Sequence, residues 1–220
     1  MTARDTQEPT RLMLRLEVSD GAAERLAAVL AAAPVASVVI APAAGRPLTA
    51  ASVRPLVSAG QKAGVAMLIE GAPALVRASG ADGVHLPGSE ASDQVYAAAR
   101  ALLGGGAIIG ADAGRMRHDA MTLGENGADY VAFGIADLVR DRDDAIERQL
   151  ELIEWWAALF EIPCVATDVD SHQAAGEMAA AGADFVCMTV GGGLSLAEIE
   201  AEARSWSAAI SLTNGPKPAV

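Results

Sequence analysis

The sequence predicts a single (β/α)8 TIM barrel, an α/β fold of eight strand–helix modules, from three observations. Eight short apolar runs recur along the 220 residues at a pitch of about 27, which suits a strand, a loop, a helix and a second loop. The runs are continuously apolar rather than alternating, as in a parallel sheet covered on both faces. One signature repeats: Gly80-Ala-Asp82-Gly-Val, Gly127-Ala-Asp129-Tyr-Val and Gly182-Ala-Asp184-Phe-Val. Each marks a helix end where glycine takes a left-handed turn and the chain drops into a strand. The signature precedes the fourth, sixth and eighth runs, so the repeat is two modules long. A doubly wound open sheet shares this alternation, and the count of eight favours closure.

Taken in order, a polar segment at 1–11 is expected to be flexible, and the barrel occupies 12–210. Its strands are read at Leu12–Val18, Val35–Ile40, Val65–Ile69, Asp82–Leu86, Ala107–Ala111, Asp129–Phe133, Ile162–Thr167 and Asp184–Val190. Segments with helical spacing lie between them, such as Ala22–Ala33, Asp93–Leu103, Asp144–Phe160 and Leu196–Ile210. A tail at 211–220 has turn residues and no periodicity, and is read as a second flexible end.

Composition excludes several classes of function. Aromatics are 4% of the chain, so the core is aliphatic, and much of the 52% hydrophobic fraction is alanine. No tract is long and oily enough to span a membrane; the best, Ala27 to Gly45, is broken by Pro34, Ser37 and Pro42. The first ten residues carry no signal-peptide core, which predicts a cytoplasmic protein. Asp plus Glu number 28 against 16 Lys plus Arg, a net charge of −12, and the lysines are Lys62 and Lys217. Such a surface repels a phosphate backbone, which argues against nucleic acid as a partner. A small-molecule ligand is the partner expected, and monomer and homodimer both stay open. Cys164 and Cys187 sit in apolar runs and read as buried free thiols.

In this fold, chemistry sits on the loops that leave the C-terminal strand ends. Gly191, Gly192 and Gly193 follow the last strand and precede Ser195-Leu-Ala-Glu198, a capping-box pattern. Free N–H groups there would suit a phosphate, and a flexible turn with an ordinary cap is the alternative. Asp168 in the neighbouring loop is a second candidate for substrate binding. His85 reads as a hydrogen-bonded core residue or as a catalyst. Glu70 and Glu90 end adjacent strands and read as solvated loop carboxylates or as the pair that would share Mg²⁺, the one cofactor the chain suggests. Asp112 reads as a helix N-cap, with a polar pocket pair to Arg115 as the alternative. Glu70, His85 and Asp112 are the candidate acid–base groups. His118 and His172 have no partner at metal-ligand spacing. Trp155, Trp156 and Phe160 read as a helix-to-barrel packing face or as an interface patch.

Ala78-Ser-Gly-Ala-Asp-Gly-Val-His-Leu86, Ala107-Ile-Ile-Gly110 and Gly127-Ala-Asp-Tyr-Val-Ala-Phe-Gly134 resemble thiamine phosphate synthase and the related thiazole tautomerases. The resemblance runs from the third strand to the eighth. It implies a (β/α)8 barrel and a Mg²⁺-dependent joining of a pyrimidine pyrophosphate to a thiazole phosphate. At the family's I-N-D-R, which supplies a metal-binding Asp and a phosphate-binding Arg, this chain has Ile69-Glu70-Gly71-Ala72. At G-Q-E-D it has Pro87-Gly88-Ser89-Glu90, and Q-L-R-x-K has no counterpart in Val38-Val-Ile-Ala-Pro42. V-S-T-H-S is matched by Ala111-Asp-Ala-Gly-Arg115, with Gly114 where the tautomerases carry a working His. T-K-T-K gives way to the segment from Ala136 to Arg142, which includes Asp137. G-G-I gives way to Asp168-Val169-Asp170. Losing cationic clamps removes stabilisation of a departing pyrophosphate. The expectation is therefore a synthase-like barrel with altered or lost pyrophosphorylase activity. A binding or regulatory barrel and an active Mg²⁺-dependent synthase are the alternatives.

Overall fold

The structure is a computed structural model that describes residues 8–88, 92–135, 139 and 141–213. Eight parallel strands close into one barrel in chain order, each pairing with the next and β8 with β1. The strands are β1 (Arg11–Val18), β2 (Val35–Pro42), β3 (Ala66–Glu70), β4 (Gly83–Leu86), β5 (Ile108–Asp112), β6 (Tyr130–Phe133), β7 (Cys164–Ala166) and β8 (Phe185–Val190). Each precedes its helix: α1 (Ala22–Ala32), α2 (Ala50–Lys62), α3 (Pro73–Ser79), α4 (Asp93–Leu103), α5 (Arg117–Glu125), α6 (Arg142–Leu159), α7 (His172–Ala181) and α8 (Leu196–Thr213). The predicted closed barrel is therefore the observed one.

The unbroken apolar runs are explained by two cores on opposite faces of one sheet. Leu14, Leu16, Val38, Ile40, Ile69 and Phe133 join the helices in the outer core. Met13, Val39, Leu68, Tyr130, Ala132, Val165 and Cys187 fill the barrel interior. Strand side chains alternate in direction, so with a core on each face both sets of strand positions are largely apolar. Cys164 belongs to the outer core and Cys187 to the inner one, and both are buried thiols outside any disulfide.

The repeated Gly-Ala-Asp signature has a visible cause. Gly80, Gly127 and Gly182 take φ of +78°, +86° and +105°, the left-handed backbone that turns each helix back into the sheet. The aspartate then exchanges two hydrogen bonds with one residue of the preceding strand segment. Asp82 accepts from Met67 N at 2.7 Å, Asp129 from Ile109 N at 2.7 Å and Asp184 from Cys164 N at 2.8 Å. Their own N–H groups return to the same three residues' carbonyls at 2.8, 3.0 and 3.0 Å. Three identical staples thus fix the strand starts at the N-terminal end of the barrel.

The described chain is also held in place just outside the 12–210 bounds. Thr10 Oγ1 donates to Ala183 O at 2.7 Å and Arg11 N to Asp184 O at 3.0 Å, so the chain is tied down before residue 12. α8 runs on to Thr213, because Trp206 and Ile210 bury its inner face. Trp156 is fully buried, stacked on Phe160 and edge-on to Phe133, which makes this cluster a packing face, with Trp155 partly buried beside it. No helix among the described residues is long and apolar enough to cross a membrane.

Candidate functional site at the C-terminal mouth

The floor of the mouth is a buried polar pair. His85 on β4 is in register with Gly110 on β5, and Gly110 with Tyr130 on β6. A Cβ on Gly110 would lie 1.9 Å from Tyr130 Cζ, so glycine here lets the Tyr130 ring reach across the strand between. His85 Nδ1 meets the Tyr130 hydroxyl at 2.9 Å, with the rings nearly parallel. Burial pushes the His85 pKa down to about 4, against the pull of Glu70, so the ring is neutral at pH 7. The structure therefore gives this histidine a satisfied place in the interior.

Beside it, with Glu70 in register with His85, lies a charged pair. Arg15 projects from β1 and holds Glu70, the last residue of β3, with both ends of its fork: Nε to Oε2 at 2.6 Å and Nη2 to Oε1 at 2.8 Å. Burial would lower the guanidinium's pKa, yet the hydrogen bond and charge of Glu70 hold it above its usual value. Arg15 Nη1 also lies 3.5 Å from Glu17 Oε1. Glu17 folds over the last strand, where a Cβ on Gly191 would sit 2.6 Å from its Oε2. The sequence reading missed Arg15, although a charge inside Leu12-Met-Leu-Arg-Leu16 was a usable signal. An arginine in an apolar strand has to face a polar space.

The opposite side of the mouth carries Asp112 and Asp168. A Cβ on Gly134 would meet Asp168 Oδ2 at 2.5 Å, Asp112 Oδ2 at 2.7 Å and Thr167 Oγ1 at 2.7 Å, so three oxygens from the ends of β5 and β7 converge on the glycine after β6. Asp112 Oδ1 accepts from Gly114 N at 2.6 Å, and Asp168 Oδ2 from Ile135 N at 3.0 Å. Burial first, and then the charge of Asp168, raise the Asp112 pKa to about 6. A carboxyl that titrates there exchanges protons near neutral pH, which suits general acid–base work.

Other candidates fall elsewhere. Asp112 closes a turn on Gly114, which has φ of +57°, and the N-cap of α5 is Met116, so the predicted helix cap is not formed. That turn sends Arg115 outward to a groove with Asp144, Glu147 and Glu151, and no pocket pair with Asp112 forms. The Ser195–Glu198 capping box forms as predicted: Ser195 N donates to Glu198 Oε2 at 2.8 Å and Glu198 N to Ser195 Oγ at 3.3 Å. A carboxylate already sits at that helix start, and Glu17 lies over Gly191. Both oppose an anion at Gly191 to Gly193. Glu90 and Asp137 lie outside the described residues. A large open cavity of about 760 Å³ belongs to the opposite end of the barrel, among Gln61, Gly64, Arg77 and Asp82.

Mg²⁺ does not fit the described residues. Both oxygens of Glu70 face the Arg15 guanidinium, and no group of three or more His, Cys, Asp or Glu among the described residues is arranged to hold a metal.

Comparison with known proteins gives the mouth its context. A family model described as thiamine monophosphate synthase matches residues 17–191, which spans all eight strand ends. The thiamine-phosphate synthase of Hyphomonas neptunium is 46% identical over 131 residues, 60% of this chain and 58% of that protein. That of Erythrobacter litoralis is 42% identical over 127 residues, 57% of this chain and 58% of that protein. These matches therefore span less than two thirds of either relative. Among solved structures, a thiamine phosphate pyrophosphorylase from Pyrococcus furiosus superposes with a TM-score of 0.72 at 16% identity, over 93% of this chain and 97% of that one. That likeness carries the fold. On the strength of the match over 17–191, the chain belongs to the thiamine monophosphate synthase family.

Proposed function

We propose that this barrel acts in thiamine assembly as a thiamine-phosphate synthase, joining a pyrimidine diphosphate to a thiazole phosphate at the C-terminal mouth. The observation that carries the reading is the family match, which takes in every strand supplying the mouth, together with relatives of that name at 42–46% identity. An expectation of lost activity has no support from those relatives. The chain's own groups divide the work by position. Arg15 is a cation on an inward strand position, held in one orientation by Glu70. Asp112, whose carboxyl is raised to about 6, is placed to give or take a proton on the β5–β7 side. His85 and Tyr130 form an uncharged floor. Mg²⁺ is the family's expected cofactor, but the described residues do not assemble a site for it.

One observation favours a second reading. Glu17, Glu70, Asp112 and Asp168 outnumber Arg15, whose fork is already occupied. A mouth of that polarity suits an unphosphorylated, positively charged ring better than two phosphates. Incubating the purified chain with both phosphorylated precursors, with and without Mg²⁺, separates the two. Thiamine phosphate and released pyrophosphate support the synthase. A folded protein that forms neither, yet binds thiamine, supports the second reading.

A further inference from the structure

We infer that Gln149 is a positioning residue that holds the ends of β6 and β7 so that Asp168 faces Asp112 across Gly134. The inference rests on the reading above that this side of the mouth works on the substrate. Gln149 lies on α6 and is 2% exposed. Its Nε2 donates to Phe133 O, the last carbonyl of β6, at 2.6 Å, and to Thr167 O, the first beyond β7, at 2.7 Å. Thr167 N donates to Phe133 O at 3.1 Å, and Ile135 N to Asp168 Oδ2 at 3.0 Å. Four hydrogen bonds therefore join two segments at the point where both leave the sheet.

A side chain needed only for packing would be apolar, like its buried neighbours Leu152 and Ile153. Burying an amide is costly unless every polar atom is matched. Here the match is incomplete. Gln149 Oε1 and Thr167 Oγ1 are two of three buried side-chain polar atoms left without a partner among the described residues. Asp168 adds a φ of +56°, which non-glycine residues seldom adopt. Unmet polar atoms, backbone strain and two facing carboxylates gather at one place, as they do where function rather than stability selects the residues.

The charged and titratable groups around Asp112 are Asp168 from the β7 end and Tyr130 on β6; the β4 end contributes Gly88, and Arg142 on α6 donates Nη2 to the backbone Asp168 O at 3.1 Å. Of these, Asp168 is the one whose placement depends on Gln149. The test is a carbon-13 NMR titration of the Asp112 carboxyl in the full chain, assigned with Asp112→Asn. Gln149→Met keeps the shape and removes both donors. Gln149→Asn withdraws the amide by one methylene at lower structural cost. The midpoint is expected to fall by about one pH unit in Gln149→Met, and by less in Gln149→Asn, as Asp168 swings away and water enters. A purely structural role would lower the melting temperature and leave the midpoint alone. An unchanged midpoint in either folded variant overturns the inference. Because the readout is a titration, its failure is distinct from failure to make thiamine phosphate.

Discussion

Replacing Asp112 with Asn should stabilise the fold at pH 8 and change it little at pH 4. The carboxyl is raised from 3.8 to about 6 in the folded protein, chiefly by burial and then by Asp168. Between those two values the folded state binds more protons than the unfolded state, so stability falls as pH rises through the interval. Two pH units correspond to about 3 kcal/mol, a ceiling because the residue keeps some contact with solvent. For a domain of this size, about 1.5–3 kcal/mol amounts to roughly 4–10 °C in melting temperature. The substitution suits the site. Asn Oδ1 can keep the bond from Gly114 N, and Nδ2 stands where two carboxylates now oppose each other. His85 contributes in the opposite sense. Its folded pKa is near 4, so stability is lost as pH falls below about 6.5, but this happens in both proteins and cancels in the difference. Thermal melts of the two proteins from pH 4 to 8 measure the effect. Curves that run parallel across that range would refute the reasoning, because they would mean that Asp112 titrates alike folded and unfolded.

Three further outcomes follow from the geometry. Glu70→Gln strands the half-buried Arg15 guanidinium, so it should cost about 2 kcal/mol in denaturant unfolding and tighten the binding of inorganic pyrophosphate, read by calorimetry. Gly110→Ala forces a methyl group into the Tyr130 ring and should destabilise by about 3 kcal/mol or fail to fold, seen in expression and urea melts. Asp129→Ala removes the acceptor of Ile109 N and Arg100, and should cost about 2 kcal/mol with little change in ligand affinity, since the staple lies at the far end of the barrel.

The fold was legible because its signals are local and repeated. Eight apolar runs, the Gly-Ala-Asp signature and the Ser195–Glu198 box each report a backbone conformation that neighbouring residues impose. The site was legible only in part. Glu70, His85, Asp112 and Asp168 could be named because the strand ends could be counted, but their partners could not. The hold of Arg15 on Glu70 spans 55 residues, and the reach of Tyr130 to His85 spans 45. Both depend on barrel closure and register, which no local pattern encodes. The same limit explains Arg115. Its spacing from Asp112 suggested a pair, but the left-handed Gly114 between them turns the two side chains apart. Gln149 left no trace in the sequence, since a glutamine on a helix is ordinarily solvated.

The most direct test of the central claim is the coupling reaction itself. The chain, supplied with the pyrimidine diphosphate, the thiazole phosphate and Mg²⁺, should yield thiamine phosphate and pyrophosphate in equal amounts, at a rate that falls in Asp112→Asn. No product from folded wild-type protein, under conditions where a family member of known activity turns over, would contradict the assignment and leave family membership describing the barrel alone.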